Sequence, residues 1–291
     1  MKVILSRKGM DSSWGGHPGI ILPDNTILYY PIPGDEDEDR YSDIKGTDGI
    51  AMDIGMKRFY QDILYMDAWN EITDETHCHM DPDLDYNAKD RLPGWRGAFG
   101  QADAAQTVLA KAGVGEGDLF LFFGWYQKWI FDENNQYRMI KNSDIHYIYG
   151  YMEIEKVIYT NGNNNIPKWL NDHPHMLSRR QERESNCIYV AREKLSWNES
   201  QAGYGLLPFD KKRVLTKEGY SRSKWDLPDI LRDKKITYHS PASWKDGYFQ
   251  SAHRGQEFVI EENYDVEMWA KGLIDPHRNE VSCPSHGLRL T

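Results

Sequence analysis

The sequence is poor in features that would place it in a secreted, disulfide-rich or membrane class. It has three cysteines among its 291 residues, and Cys78, Cys187 and Cys283 are far apart in the chain. An odd number of widely spaced cysteines argues against a disulfide framework and indicates a reducing compartment. No apolar run approaches the length of about 18 residues that a membrane-spanning helix needs, and the N-terminus resembles a strand rather than a signal peptide. We therefore expect a cytoplasmic protein without a membrane partner.

Positive charge is also scarce. The chain has 35 lysine and arginine residues against 45 aspartate and glutamate residues, which gives a formal net charge of −10. A protein that coats duplex nucleic acid neutralises phosphates with a basic surface, so this balance excludes an extensive duplex-binding surface and leaves room only for local contacts. Much of the acid lies in the run at residues 35–39, which we expect to form a solvated loop.

The length of the chain allows a substantial core. We expect a single domain with loop elaborations at residues 1–275, followed by a C-terminal tail at residues 276–291. Aromatic residues make up 13% of the chain, including ten tryptophans and eighteen tyrosines. This excess indicates clefts suited to stacking planar groups, although aromatic-rich β structure is a simpler interpretation.

The pattern of apolar residues predicts an α+β fold. Their spacing predicts helices at residues 53–69, 101–112, 225–231 and 266–273. Short apolar runs predict strands at residues 2–5, at 20–32 (a pair around a turn), at 119–126, 145–158, 187–191 and 236–239, and in a segment ending at Ile260. Because helices and strands do not alternate regularly, we expect a mixed, mostly antiparallel sheet or partial barrel with flanking helices.

A histidine and an aspartate two residues apart suggest a metal site. His79 and Asp81 would point to the same face at the end of a strand, as in the iron sites of facial-triad enzymes, and His173 or His175 would supply a third ligand. Fe(II) is favoured over Zn(II), since the cysteines are not spaced as a thiolate site. Alternatively, the carboxylates at residues 81–83 cap backbone amides of a turn, and the two later histidines bond loop carbonyls.

A loop rich in glycine follows the first strand at residues 6–19 and matches neither of the common phosphate-binding patterns, the Walker A loop and GxGxxG. The side chains of Arg7, Lys8, Ser12 and Ser13, together with glycine amides, are candidates for binding a phosphate or carboxylate of the substrate. The alternative is a tight connection whose cations pair with the acidic surface.

Further candidate residues lie near the end of the chain. Arg254 and Gln256 offer donors that can read a base edge, and Glu257 offers a general acid or base. Asp83, in the turn after Asp81, and Arg254 are further catalytic candidates. The alternative for this group is a buried ion pair that closes the sheet.

Trp95 and Arg96 precede the small-residue helix predicted at residues 101–112. The N-terminal end of a helix carries a partial positive charge, which is unfavourable for a nearby arginine. An anion bound between Arg96 and the helix would make this placement favourable. We therefore count Trp95 and Arg96 among the substrate-binding candidates. An arginine that points into solvent is the alternative.

Several of these segments together resemble a bacterial and phage family known as nucleotide modification associated domain 3. The matching stretches are SRKGMDSS from Ser6, ILPD from Ile21, HMDPDL from His79, GWRGAFGQ from Gly94, GDLFLFFGW from Gly117, His146 with the strand through Tyr151, His173-Pro174-His175, and RGQEFV from Arg254. They extend over roughly residues 1–260 in a consistent order. The resemblance implies a role in nucleotide or DNA-base modification, without specifying the reaction.

We therefore expect an enzyme that acts on a nucleotide or a modified base and that, where it binds a metal, uses a non-haem Fe(II) ion. Arg7, Lys8 and Arg96 would hold an anionic group, and Glu257 would transfer a proton. The alternative is a non-catalytic reader of modified bases, since the strand at residues 119–126 and the crossing strand that follows resemble PUA-like barrels. A structural partner in a modification assembly is a third alternative.

Overall fold

The computed structural model describes residues 1–11, 15–60, 73, 75–134 and 137–275 of the chain. Some of the sequence predictions concern residues outside these ranges. They are the substrate-binding role of Ser12 and Ser13, the part of the predicted helix beyond residue 60, and the tail at residues 276–291.

The described residues form a sheet-rich fold with few helices. The strands in the first half of the chain are β1 (Val3–Arg7), β2 (Gly19–Ile21), β3 (Ile27–Leu28), β4 (Ile32–Pro33), β5 (Cys78–His79), β6 (Ala98–Gln101), β7 (Leu119–Phe131), β8 (Tyr137–Met139) and β9 (Ile145–Tyr159). Those in the second half are β10 (Cys187–Ala191), β11 (Lys194–Leu195), β12 (Asn198–Ala202), β13 (Tyr204–Leu206), β14 (Lys224–Trp225), β15 (Trp244–Lys245), β16 (Tyr248–Gln250) and β17 (Glu257–Ile260).

The helices lie outside the sheet and are short. The α-helices are α1 (Met52–Tyr60), α2 (Asp103–Lys111), α3 (Ser178–Gln181) and α4 (Tyr264–Ile274). Single 3₁₀ turns are found at Tyr86–Ala88, Lys168–Leu170, Pro174–Met176, Lys211–Arg213, Asp229–Leu231 and Pro241–Ser243. Among the residues that the structure describes, no helix is both long and apolar enough to cross a membrane.

The main sheet is built around β7 and β9, whose apolar runs make them suited to burial on both faces. The two strands pair antiparallel, from Leu119 opposite Glu153 to Tyr126 opposite Ile145, with an irregularity after Phe122. The order across the sheet is β17-β1-β7-β9-β10-β6, and shorter strands pair with β7 and β9. The sheet is mostly antiparallel and curls into a half-barrel, which confirms the predicted α+β class.

The first strands are an exception to the antiparallel pattern, since β1 and β2 both run parallel to β7. On its other side β1 pairs antiparallel with β17, which places Ser6 opposite Glu257. The loop that begins at Arg7 therefore starts beside residues 254–257. Two groups of candidate residues from opposite ends of the sequence are neighbours for this reason.

Side chains alternate between the two faces of the sheet, as they must along any strand. Phe120 and Phe122 of β7 join a buried aromatic cluster with Phe99 and Tyr189 inside the curl. Their neighbours in β7 point to the other face, against a second apolar cluster that includes the buried face of α4. Each face of the sheet is therefore covered by its own core.

The edge of the sheet beyond β6 carries the residues of greatest chemical interest. Asp83 forms an isolated bridge with Ala98 of β6, so the chain after β5 continues the sheet past its last strand. On the outer face, Ala98 packs with Leu170 and Ile188 in a small separate cluster. The 3₁₀ turn that contains His175 contacts this same edge.

Two predictions of local structure are wrong. Residues 225–231 form the end of β14 and one 3₁₀ turn rather than a helix, because Pro228 disfavours the helical conformation at the residue before it. Residues 236–239 do not form a strand. Only Ile236 pairs, in an isolated bridge with Ile260, and the positive φ of 64° at Tyr238 ends the extended conformation.

A pair of isoleucine substitutions tests the position of the core. Ile4, in β1, is fully buried, whereas Ile54, in α1, is 56% exposed. We expect Ile4→Ala to lower the free energy of unfolding by about 2–5 kcal/mol, because it removes buried methyl groups and leaves a cavity. Ile54→Ala should change it by less than about 0.5 kcal/mol. Urea denaturation measures both, and equal effects would contradict this placement of β1.

Candidate metal centre

The carboxylate of Asp81 lies among three imidazole rings. The Nε2 atom of His79 is 3.8 Å from Asp81 Oδ2, and the Nε2 atom of His175 is 3.7 Å from the same oxygen. One potential ligand atom from each of these three residues lies within 4.8 Å of the other two. His79, Asp81 and His175 therefore form a group that can hold a metal ion.

The local chain explains why His79 and Asp81 point to the same place. His79 ends β5, and side chains two residues apart along an extended chain share a face. Cys78 and Met80 point the other way and are fully buried in the core. The backbone N–H of Gly100 in β6 donates a 2.8 Å hydrogen bond to Asp81 Oδ1, which fixes the carboxylate against the sheet edge.

His175 reaches the site from the 3₁₀ turn Pro174–Met176 and packs directly on Gly100. A Cβ atom at residue 100 would lie 2.3 Å from Cγ and Cδ2 of the His175 ring, far inside any allowed contact. Gly100 is therefore needed for two reasons. Its amide holds Asp81, and the absence of its side chain makes room for the imidazole.

Hydrogen bonds determine which nitrogen of His175 carries the proton. Its Nδ1 lies 2.6 Å from Asn186 Oδ1. The amide nitrogen of Asn186 donates to Thr160 Oγ1 at 2.6 Å and to the His175 carbonyl at 2.9 Å, so its oxygen must face the ring as an acceptor. Nδ1 of His175 is thus protonated, and the lone pair on Nε2 points towards Asp81. A neighbouring amide or carboxylate commonly orients metal-binding histidines in this way.

His79 is oriented by a carboxylate. Its Nδ1 lies 3.2 Å from both oxygens of Asp37, and Asp37 also accepts hydrogen bonds from Arg180. A proton on Nδ1 satisfies this contact and leaves the Nε2 lone pair facing Asp81. Burial raises the pKa of Asp37, but its hydrogen bonds to His79 and Arg180 outweigh burial and lower it. Asp37 therefore stays ionised beside the ring.

His173 has the opposite arrangement. Its Nδ1 accepts a 3.2 Å hydrogen bond from the backbone N–H of His175, so the neutral ring carries its proton on Nε2. That Nε2 lies 3.5 Å from Asp81 Oδ1. His173 thus presents a proton, not a lone pair, to the carboxylate. Of the two histidines that the sequence proposes as the third ligand, the structure favours His175.

The electrostatics of the group favour the deprotonated ligand atoms of Asp81 and His175, as metal binding requires. Burial raises the pKa of Asp81, but the imidazoles of His173, His175 and His79 outweigh burial and hold the pKa well below its usual range. Burial, only partly opposed by Asp81, lowers the pKa of His175 to about 3. Near pH 7 the group therefore contains a charged carboxylate and a neutral imidazole at His175.

The dimensions of the group suit a transition metal. Two ligands that each lie about 2.1 Å from one ion can be no more than about 4.2 Å apart, and both His–Asp separations fall within this limit. His79 has the most exposed side chain of the three, at 15%, against 5% for Asp81 and 8% for His175. An ion or substrate would therefore approach from the side of His79.

Neither of the two cysteines in the described part of the chain contributes a thiolate to this group. Burial raises the pKa of Cys187 to about 12, and burial also raises the pKa of Cys78, the neighbour of His79 that points into the core. Two imidazoles and one carboxylate remain as donors. This set is found with non-haem Fe(II), and Zn(II) also accepts it.

A second buried polar cluster joins several of the predicted residues. Glu257 is fully buried, and its Oε1 accepts hydrogen bonds from Lys8 Nζ at 2.8 Å and from Gln101 Nε2 at 2.7 Å. Its other oxygen makes no hydrogen bond to the described residues. Lys8 Nζ also lies 3.5 Å from Gln256 Oε1. The clusters share β6, since Gly100 binds Asp81 and the next residue binds Glu257.

The remaining substrate-binding candidates already have partners within the protein. Arg7 donates to the backbone carbonyls of Ala252 and His253 at 2.6 and 3.0 Å. Trp95 is buried, and the guanidinium of Arg91 lies 4.2 Å from the centre of its ring. Arg7 is thereby held beside the loop that leads into β17, whereas Trp95 lines a small cavity together with Asp83 and His173.

Arg96, Asp83 and Arg254 lie in three different environments. Arg96 pairs with Glu155, and β6 separates it from α2, so it is not at the N-terminus of that helix. Asp83 is buried and forms a two-bond pair with Arg91, with both distances 2.6 Å. Arg254 is exposed in the loop before β17.

Sequence reasoning missed Asp37, Asn186 and Gly100. Asp37 lies in the acidic run that composition predicts to be a solvated loop, and this prediction is wrong for Asp37, which is 4% exposed. One feature of the sequence could have pointed to Asp37. It is the run of carboxylates in a chain that has more acidic than basic residues and a segment rich in histidine. Asn186 carries no such signal, because its role depends on a contact made only in the folded chain.

The comparison with known families gives one match. The family described as nucleotide modification associated domain 3 matches residues 2–261, which include all of β1 to β17 and every residue of both polar clusters. No curated protein and no solved structure matches the chain.

The assignment of ligands can be tested by metal analysis. We expect His175→Ala to lose the stoichiometric metal of the wild-type protein, because it removes a lone pair that faces Asp81. His173→Gln should retain it, since Nε2 of His173 carries a proton. Both variants are loaded with Fe(II) without oxygen, or with Zn(II), and analysed by plasma mass spectrometry, with circular dichroism to confirm folding. Equal loss of metal in two folded variants would contradict the assignment.

The hydrogen bond from His175 to Asn186 should set the affinity for the ion. We expect Asn186→Ala to weaken metal binding by about 10–100-fold while the site still fills at saturation, because the ring loses its orientation. Asn171→Ala, a change in an exposed turn, is the control. Competition with a chromogenic chelator measures both constants. Unchanged affinity in Asn186→Ala would remove Asn186 from this role.

Proposed function

The chain belongs to the nucleotide modification associated domain 3 family, and we propose that it is a metal-dependent enzyme that modifies a nucleotide or a nucleic-acid base. The observation that carries this proposal is the convergence of His79, Asp81 and His175, with both imidazoles held so that Nε2 faces the carboxylate. Histidines that served only to bond loop carbonyls would not need this arrangement. The family match supports the substrate class, and the geometry of the three residues supports a metal site.

We propose Fe(II) as the resident ion and Zn(II) as the second candidate. Two histidines and one carboxylate on one side of an iron ion leave the opposite positions open for substrate or a small molecule. A tetrahedral zinc ion with the same ligands would leave one open position. Either ion would supply Lewis acidity, and iron would add redox chemistry.

The chain's own residues have distinct roles in this proposal. Asp81 is the charged ligand, and the Gly100 amide fixes its direction. His173 Nε2, which lies 3.5 Å from Asp81 Oδ1 and makes no hydrogen bond to the described residues, is assigned to present its proton to that oxygen. Asp37 and Asn186 keep the two ligand histidines in the binding tautomer.

Glu257 is the proposed general acid or base, because one of its oxygens is buried without a hydrogen bond to the described residues. Lys8, 2.8 Å away, is proposed to hold an anionic group of the substrate together with Arg7. Arg254 and Gln256 lie exposed just before Glu257 and are proposed to meet the base edge.

Five other sequence candidates stay predictions with less support. Ser12 and Ser13 retain their predicted role at the phosphate. Trp95 and Arg96 are engaged with Arg91 and Glu155, so substrate would have to displace those partners. Asp83 is held by Arg91, so a catalytic role would require its release from that pair.

Activity can be tested even though the reaction is not specified. Iron-loaded protein is incubated with DNA or with a mixture of nucleotides, and the nucleosides are analysed by mass spectrometry. We expect a new nucleoside mass that disappears with Asp81→Asn. Glu257→Gln should keep its metal but slow product formation by about 10²–10⁴-fold, because it loses a proton-transfer group.

The control is Glu199→Gln, a change at an exposed carboxylate in β12, outside both polar clusters. It should leave product formation within about twofold. A protein that binds modified oligonucleotides equally well with and without metal, and forms no product, would instead be a non-catalytic reader.

A further inference from the structure

A basic groove lies on another part of the molecule, beyond the two polar clusters. It is a cavity of about 1090 Å³ on the surface, slightly larger than the roughly 300–1000 Å³ of most small-molecule sites. Five cationic side chains line it, namely Lys128, Lys211, Lys212, Lys217 and Arg222. Three carboxylates line it as well, those of Asp144, Glu218 and Asp226. In a chain with a net charge of −10, this excess of cations is a local departure from the surrounding surface.

Aromatic side chains alternate with these cations. Arg222 lies 4.2 Å from the ring centre of Trp125, and Lys128 lies 5.0 Å from that of Phe209. Tyr220 is 43% exposed at the same surface. Cations that follow a phosphate backbone, combined with aromatic faces on which bases stack, are the features of sites for single-stranded nucleic acid.

The groove is built on fixed elements. Lys211 and Lys212 are exposed on a 3₁₀ turn whose third residue, Arg213, is buried. The guanidinium of Arg213 donates to the carbonyls of Leu273 and Pro208 at 2.8 and 2.7 Å, which ties the turn to the core. The two lysines are therefore exposed on a turn that Arg213 anchors to the core.

Arg222 lies in the wall of the groove. It is partly buried, and its Nη1 atom makes no hydrogen bond to the described residues. Burial lowers its pKa, and Asp144 and Asp11 oppose this only in part. Asp144 is already engaged, since its Oδ1 accepts hydrogen bonds from Trp125 Nε1 and Gln127 Nε2. A guanidinium at the wall of the groove is suited to pair with a phosphate group.

We infer that the basic groove binds a single-stranded segment of nucleic acid. This inference deepens the proposed function and rests on it for the choice of a nucleic acid as the polyanion. It names the substrate class as a base within a strand rather than a free nucleotide. An unpaired strand fits better than a duplex, because duplex binding relies on many phosphate contacts, whereas exposed aromatic rings stack only on unpaired bases.

The charge component is tested with the double variant K211E/K212E. A fluorescein-labelled single-stranded 12-mer is titrated by anisotropy at several salt concentrations. We expect the affinity to fall at least about tenfold at 0.1 M salt, and the slope of log K against log salt to become shallower by about 1.4, because two phosphate contacts are lost. The matched control is K111E/K156E, which makes the same charge change at exposed lysines outside the groove. An equal effect of both double variants would overturn the proposal.

The stacking component is tested with Tyr220→Ala. It should lower affinity by at least about fivefold with no change in the salt slope, because a ring contributes no charge. Tyr264→Ala, at a tyrosine that is 72% exposed in α4, is the control and should bind as the wild type does. Binding that is equal for the 12-mer and its duplex, or equal for a polyglutamate peptide, would also overturn the proposal.

The same titration with Asp81→Asn separates this proposal from the proposed catalysis. Binding that survives in Asp81→Asn would support a groove that is independent of the metal centre. Wild-type protein that binds the 12-mer but holds no metal and forms no product would support the groove and contradict the enzyme. Product formed from free nucleotides, with no binding of the 12-mer to wild-type protein, would support the enzyme and contradict the groove.

Discussion

The candidate centre depends on keeping one buried carboxylate ionised. A buried charge without partners is costly, and a chain normally avoids it by changing the protonation state. Asp81 has a backbone amide on one oxygen and three imidazoles around it. Nearby elements are arranged to meet this requirement, including the close contact of His175 with Gly100 and the hydrogen bonds of Asp37 and Asn186. A bound cation would be a further partner that stabilises the charge of Asp81.

The sequence allowed the fold class and half of the centre to be predicted, for reasons that differ from residue to residue. The apolar runs of β7 and β9 are long and local, so their pairing could be inferred. His79 and Asp81 share a face because of the geometry of an extended chain. The choice between His173 and His175 could not be predicted from the sequence. It depends on the backbone N–H that bonds to Nδ1 of His173 and on the side-chain amide of Asn186 that bonds to Nδ1 of His175.

Contacts that form only in the folded chain also explain why other features were not predicted from the sequence. Asp37 lies in an acidic run whose composition indicates solvent exposure, and only a salt bridge to Arg180 and a contact with His79 reveal its burial. The parallel pairing of β1 with β7 brings Lys8 to Glu257, and no local pattern specifies it. The net charge is an average over the whole chain, so it does not reveal the local excess of cations in the basic groove.

Strand β6 connects the two polar clusters through adjacent residues, with the amide of Gly100 on Asp81 and the side chain of Gln101 on Glu257. Because neighbouring side chains in a strand point to opposite faces, a slip of one position would place either Gln101 or Phe99 where His175 needs space, and would leave Ala102 or Gly100 where Glu257 needs a donor. The two clusters therefore cannot be adjusted independently. A change in the register of this strand would alter both clusters together, and an insertion or deletion within it would abolish both at once.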